Sequence, residues 1–447
     1  MMIEDTLRRL FSQVTQLPEA KIKSTAHVMD DLGADSLQFL DYIARVEKEF
    51  GITLKGSDSD HFATMKKATA LLEKRLPQTL APSTPPPLPA TAPVAAASPA
   101  PAPAAVSVPA RQGVWLDEQG YLHYPTEVGM PLTGRNNLGE SPLLKMIGDL
   151  RWQHISLFSG VPSRLLTDDT GERLYATFFY VEINFSEHVP MAAFGENDQL
   201  HIVSSIQSSG GSVLDGYHWL LRGPVTELPQ EPSRLNVPYF RTSNIFVKML
   251  QGAQWLKKSK PCQPGMAKIP EAGAPPDSAD FCRVADQDNT FGGPPPGWLV
   301  LTPAPVEVFY DIVPDRDLNG AGLLYFANYP QILDIVERQV LETKLPVPFE
   351  TEVVDQRTVV RRQTAYLSNA NQSDRLRVQV TVAVEEAAAT EAGLNLPIRL
   401  WLNFVMWRCS DDRKMMVSTV RKLITGRTWG QTSAWQALKS WKQSASA

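Results

Sequence analysis

A chain of 447 residues exceeds the usual domain of about 100–200 and predicts two or three domains. Its composition, 43% hydrophobic and 20% charged, is that of globular proteins and excludes global disorder. With 43 Lys and Arg against 48 Asp and Glu the net charge is −5, which argues against a protein that tracks a nucleic-acid backbone. Cys262, Cys282 and Cys409 are too few and too scattered for a disulfide scaffold, and no CxxC or Cys/His cluster points to a metal. The amphipathic N-terminus MMIEDTLRRLFSQV lacks the apolar core of a secretory signal, and no apolar run approaches the roughly 20 residues a membrane span needs. A soluble, cytoplasmic protein is expected, with no nucleic-acid, membrane or metal partner.

In chain order, residues 1–76 read as helices. Ile3, Leu7, Leu10, Phe11 and Val14 make one apolar stripe, and Leu37, Leu40, Ile43, Val46 and Phe50 make a second. Residues 77–112 alternate Ala and Pro with no charge between Arg75 and Arg111. Such a stretch has no periodicity with which to bury a face and reads as an extended tether of up to roughly 100 Å. Residues 113–447 mix helical patterns with strand-like runs at 174–185, 200–207, 353–368, 375–386, 398–408 and 414–424. That is an α+β pattern, and the Pro- and Gly-rich stretch from Gln251 to Trp298 divides it into halves of about 113–255 and 299–447.

Ser36, in Asp35-Ser36-Leu37, stands at the start of the second helix. One reading is an ordinary N-cap serine. The other follows from the surrounding DDLGADSLQFLDYIARVEKEFGI, which resembles the acyl carrier protein signature across residues 1–76. The resemblance implies a four-helix, all-α carrier bundle in which Ser36, modified by a phosphopantetheinyl transferase, carries 4′-phosphopantetheine. A helix N-terminus suits the added phosphate. The same stretch holds Asp30, Asp31, Asp35, Asp41, Glu47 and Glu49 against Arg45 and Lys48, either a solvated face or a docking face for basic partners.

In the larger piece no GxSxG, GxGxxG or P-loop occurs. All seven histidines lie in the first half of the chain, leaving His154, His201 and His218 as candidate bases, or as structural residues. Asp317-Leu-Asn-Gly-Ala-Gly-Leu-Leu-Tyr-Phe-Ala-Asn-Tyr329 opens from a glycine turn onto a helix. The turn is either an ordinary cap with Pro330 at the first helical position or a place where amides polarise a carbonyl. Asp317, Gly322, Tyr325, Ala327, Asn328 and Tyr329 resemble the motif of 4-hydroxybenzoyl-type hotdog thioesterases, with Asn319 in place of the second Asp and Phe326 in place of the His.

With Gly148, Asp149, Trp152 and LYATFFYV, residues 113–447 resemble the double-hotdog family that includes the leinamycin-type bifunctional acyltransferase/decarboxylase. That resemblance implies a catalytic tyrosine, matched by Tyr175 with Tyr180 as the alternative, which takes the acyl group of methylmalonyl-CoA and, after decarboxylation, delivers propionyl to a carrier. Asn319 and the Gly322 and Leu323 amides would hold the enolate. Partners would be acyl-CoA and polyketide synthase or other biosynthetic enzymes. A hotdog thioesterase or dehydratase with Asp317 as its carboxylate, and a non-catalytic binding module, are the other classes. Arg361 and Arg362, in a stretch with a surplus of basic residues, are either sheet surface or receivers of CoA phosphates or of the acidic carrier helix.

Overall fold

The computed structural model describes residues 3–15, 17–28, 31–32, 42–43, 45–47, 49–52, 61–79, 113–223, 237–249, 256–320, 322–370, 372 and 374–445. They divide into two compact units. One joins Met1–Val108 with Thr167–Tyr175 and Phe246–Lys260; the other holds Pro109–Leu166, Ala176–Ile245 and Pro261–Ala447. None of the described helices is long and apolar enough to cross a membrane.

In the first unit, helix α1 (Ile3–Thr15), the helical residues 42–43, 45–47 and 49–50 and helix α2 (Met65–Thr79) pack around Leu7, Phe11, Val28, Tyr42, Val46, Phe62 and Leu72. The spacing of Leu7, Leu10 and Phe11 puts them on one face of α1, and that face is the buried one. Tyr42 meets Phe11 edge-on at 5.2 Å. Its hydroxyl lies 3.3 Å from Met65 Sδ, so burial leaves the phenol a partner and pushes its pKa up. Residues 33–41, with the start of the second helix, lie outside the described residues, as do 53–60. The same unit holds Asp168, whose carboxylate accepts from Lys248 Nζ (2.8 Å), Ser259 Oγ (3.0 Å) and Thr170 Oγ1 (2.6 Å).

Antiparallel strands dominate the rest. They are β1 (Trp115–Leu116), β2 (Leu122–Glu127), β3 (Tyr175–Asn184), β4 (Gln199–Ser204), β5 (Gln207–Ser209), β6 (Val213–Arg222) and β7 (Tyr239–Met249). Then come β8 (Leu256–Lys258), β9 (Trp298–Val300), β10 (Val306–Asp311), β11 (Arg357–Tyr366), β12 (Arg375–Glu385), β13 (Pro397–Arg408) and β14 (Arg413–Thr428). Among the described residues these form one 14-stranded sheet ordered β1-β2-β4-β6-β7-β3-β11-β14-β13-β12-β9, with β5 on β6, β8 on β7 and β10 on β12. The two halves meet at β3 and β11, where Tyr180 pairs with Ala365 and Asn184 with Arg361. Period-two burial marks the covered face: on β10, Val308 and Tyr310 are buried while Glu307, Phe309 and Asp311 are exposed.

Helix α3 (Glu140–Ser159) follows the first strands, and helix α5 (Tyr329–Thr343) holds the equivalent place in the second half. Long helices packed on antiparallel strands give this part a hotdog-like layering. Leu143, Ile147 and Leu150 of α3 and Ile332, Val336 and Val340 of α5 share one core with the strands. Gly160, at φ 74°, ends α3 in a left-handed turn. Helix α4 (Ser278–Asp288) lies within the Pro- and Gly-rich stretch, and helix α6 (Ala434–Ala445) ends the chain.

Six buried or half-buried charges tie both helices to the strands. Arg362 Nε of β11 meets Glu140 Oε1 at 2.6 Å. Lys422 Nζ of β14 meets Glu337 Oε2 at 2.7 Å and Asp334 Oδ1 at 2.9 Å, and Arg357 Nε meets Glu337 Oε1 at 2.8 Å. Burial pushes the Glu140 carboxyl up against the pull of Arg362. Arg362, expected as sheet surface or as a receiver of phosphates, is an interior residue, 1% exposed and bonded to Glu140 and Ser418. Removing one partner strands the other in the core. Arg362→Met should therefore lower stability by about 3–5 kcal/mol, and adding Glu140→Leu should recover part of the loss; urea unfolding measures both.

Candidate active site

The glycine turn ahead of α5 is held by its own side chains. Asp317, 1% exposed, accepts from Tyr310 Oη (2.7 Å) and the Val313 amide (2.8 Å) through Oδ2, and from Arg316 Nε (2.9 Å) through Oδ1. Arg316 also donates to Tyr310 Oη. Gly322, at φ 73°, takes a left-handed conformation that glycine adopts without strain. Its amide donates to Asn319 O (2.9 Å), and the Leu323 amide to Asn319 Oδ1 (3.2 Å). Both amides expected to hold an oxyanion are spent on closing the turn, so the expectation for Gly322, Leu323 and Asn319 is corrected: they shape the loop. Asn328 stands at the N-cap of α5, yet its Nδ2 donates to the carbonyls of Arg316 (2.9 Å) and Asp317 (3.1 Å).

Phe326, at the position of the motif's missing His, stacks on Phe178 with centroids 3.9 Å apart. It also packs on Gly148 of α3, where a Cβ would lie 3.0 Å from Phe326 Cζ and 3.2 Å from Tyr325 Oη. Glycine at 148 is what lets the helix come so close. Burial and the Asp149 charge push the Tyr325 phenol up.

The two candidate nucleophiles differ in surroundings. Tyr175 is half-buried at the head of β3, with the Arg173 guanidinium 4.8 Å from its ring centroid. Tyr180 is fully buried: its hydroxyl donates to Glu182 Oε2 (3.2 Å) and accepts from Gln363 Nε2 (3.0 Å). Burial, then the Glu182 charge, push its pKa up, so it is held as a phenol. Glu182 also receives Tyr239 Oη (3.5 Å) and Arg361 Nη2 (3.0 Å). Arg361 keeps about half of its side chain exposed while bonded there.

The histidines separate into two groups. His154 and His218 are buried and neutral: burial and the Arg151 charge push His154 down to about 3 and His218 well below its ordinary value. His201 Nε2 lies 3.0 Å from His123 Nδ1, whose Nε2 lies 3.1 Å from Asp117 Oδ2, and Trp115 stacks on His123 at 5.0 Å. Motif reading named His201 but missed His123, Asp117 and Glu182, because the His123–His201, Glu182–Tyr239 and Glu182–Arg361 contacts join residues 78, 57 and 179 positions apart, with no local signature.

Ser36 lies outside the described residues. Beyond it, Glu47 Oε2 of the 42–50 stretch meets Lys257 Nζ of β8 at 2.6 Å within the first compact unit. The described core around Tyr42 and Val46 is the packing that a carrier's second helix needs.

Residues 5–72 match the family described as the phosphopantetheine attachment site. Over 70 residues, 16% of this chain and 86% of the relative, the sequence is 30% identical to an acyl carrier protein of Thermotoga maritima. Among solved structures, an acyl-ACP thioesterase from Bacteroides thetaiotaomicron superposes with a TM-score of 0.40 at 13% identity, covering 68% of this chain and 98% of that one. The 12:0-ACP thioesterase from Umbellularia californica superposes with a TM-score of 0.40 at 10% identity, covering 68% and 97%. The family match identifies covalent 4′-phosphopantetheine as the cofactor of this domain. With a broad-specificity phosphopantetheinyl transferase and CoA, the intact mass should rise by one arm, and Ser36→Ala should show no rise; equal labelling of the alanine variant would place the attachment elsewhere.

Proposed function

Because the chain belongs through residues 5–72 to the acyl carrier protein family, we propose that it is a polyketide-type enzyme that loads its own carrier. It takes an acyl group from an acyl-CoA, methylmalonyl-CoA favoured, removes CO₂ and leaves propionyl on the arm at Ser36. The proposed organisation is a carrier domain at 1–76, a tether at 77–112 and a double hotdog at 113–447. The observation that carries the reading is the contrast between the two tyrosines. Tyr175 is accessible beside a guanidinium and shares a compact unit with the carrier, whereas Tyr180 is sealed in as a hydrogen-bonded phenol. The thioesterase or dehydratase reading needs Asp317 as a working carboxylate, and three donors already occupy it.

In the proposed reaction Tyr175 Oη adds to the thioester carbonyl, and CoA leaves as the thiol with the phenol's proton. The bond to the carboxylate then breaks, its electron pair staying as the enolate, and one proton from solvent completes the propionyl ester. Arg173 supplies positive charge beside the ring. The arm contributes a thiol as acceptor, and Tyr175 recovers its proton when the ester is cleaved. A phenyl ester is more activated than an alkyl ester, which suits an acyl group meant to be passed on.

Intact-protein mass spectrometry of the arm-bearing chain with malonyl-, methylmalonyl- and propionyl-CoA reads donor, product and attachment together. Tyr175→Phe keeps the ring and should fold normally while losing propionyl transfer by at least about 1,000-fold, as loss of a nucleophile does. Transfer at the parental rate in that variant would move the nucleophile elsewhere. Lys257→Glu should slow transfer severalfold at low salt, with the gap to the parent closing as salt rises, because it opposes Glu47 by charge alone. A gap independent of salt would remove Lys257 from carrier docking.

A further inference from the structure

The interior of the first half holds a cationic group that the proposed reaction does not use. Arg151 of α3 is 1% exposed, and its Nη2 donates to Thr242 Oγ1 (2.6 Å) and Thr242 O (3.3 Å). Its Nη1 donates to Ser205 O (3.4 Å). All these acceptors are neutral. Among the described residues Arg151 makes no ion pair, and no protein group meets its Nε. Asp215 is the acid whose field reaches it, but that carboxylate is held by Arg241 at 3.1 Å and, by strand alternation from Gly216, on the other face of the sheet. Gly216 makes room for the guanidinium: a Cβ there would collide with Ser205 O and lie 2.9 Å from Arg151 Nη2.

Three further polar side chains line the same place. Asn244 shares the face of β7 with Thr242, is fully buried, and neither its Oδ1 nor its Nδ2 has a protein partner among the described residues. His154, one turn along α3 from Arg151, donates from Nε2 to Gly120 O (2.9 Å), which leaves Nδ1 of the neutral ring as an unmet acceptor. His218 bridges Ser204 Oγ (2.7 Å) and Thr242 Oγ1 (3.2 Å). With both imidazoles neutral, Arg151 is the one positive charge of the group. A buried charge that meets only dipoles, next to an amide that meets nothing, is an arrangement folding alone disfavours and a bound anion completes.

We propose that Arg151 and Asn244 form a buried binding site for a carboxylate, taken either as a short free acid or as the far end of an acyl chain. One guanidinium beside the neutral Asn244 amide balances a monoanion, and its planar edge matches the two oxygens of a carboxylate. This reading stands apart from the chemistry at Tyr175, so either can fail alone.

The test uses the full chain and reads both the thermal midpoint and calorimetric binding. Propionate and malonate serve as free acids, malonyl-CoA as the tethered source, propionamide as the neutral isostere and sodium chloride as the ionic control. Carboxylates should raise the midpoint saturably, and propionamide and chloride should not. Saturation by malonyl-CoA but not by the free acids would assign the site to an acyl terminus, and the reverse to a small acid. Arg151→Met should weaken binding by about tenfold or more, the loss expected for a charged hydrogen bond. Should Arg151→Met not fold, Asn244→Leu decides: it should raise the midpoint without ligand, by removing an unpartnered buried amide, and weaken carboxylate binding. No saturable response, an equal response in Asn244→Leu, or a lowered ligand-free midpoint in that variant would overturn the proposal.

Discussion

The larger unit depends on a balance of charge inside its core. Glu140, Glu337 and Asp334 face Arg362, Lys422 and Arg357, three of each sign, and every contact joins a helix to a strand. Apolar packing between α3, α5 and the sheet is permissive about rotation and sliding, because many leucine and valine arrangements bury similar area. A carboxylate in that setting has few places to go. Glu140 at the first turn of α3 can meet Arg362 only if the helix starts where it does, and Glu337 must stand beside both Lys422 and Arg357. The ion pairs therefore act as registration marks, and the hydrophobic core supplies the cohesion.

Much of this was legible in the sequence, for reasons that can be named. The runs at 375–386, 398–408 and 414–424 became β12, β13 and β14 with ends moved by only a few residues, because β-branched and aromatic alternation is a local signal. The helix after Tyr329 followed from its apolar spacing and from Pro330. The acidic carrier stretch was recognisable because its motif lies within consecutive residues. What failed to be legible was anything assembled across strands. Arg361 and Arg362 are neighbours in sequence and look alike, yet alternation leaves one half exposed against the buried Glu182 and sends the other into the core beside Glu140. The glycine turn looked like a donor of free amides because spacing says nothing about which acceptors a turn will find in itself.

The turn before α5 is held by its own residues. Asp317 and Asn328 still bind backbone and side chains across the loop, and Gly322 still supplies its left-handed residue. Phe326 of the loop offers an apolar ring to Phe178 and Gly148. That side of the loop is an apolar surface packed against β3 and α3.

The ladder between β3 and β11 pairs five residues, from Arg361↔Asn184 to Ala365↔Tyr180, against eleven pairs between β13 and β14. The seam's ladder is thus less than half the length of the β13–β14 ladder. Under native conditions, then, hydrogen exchange should step there: the long β12 to β14 block opens only with global unfolding, while the seam opens in a smaller event that separates two cooperative blocks. The sheet is continuous in space and divisible in energy.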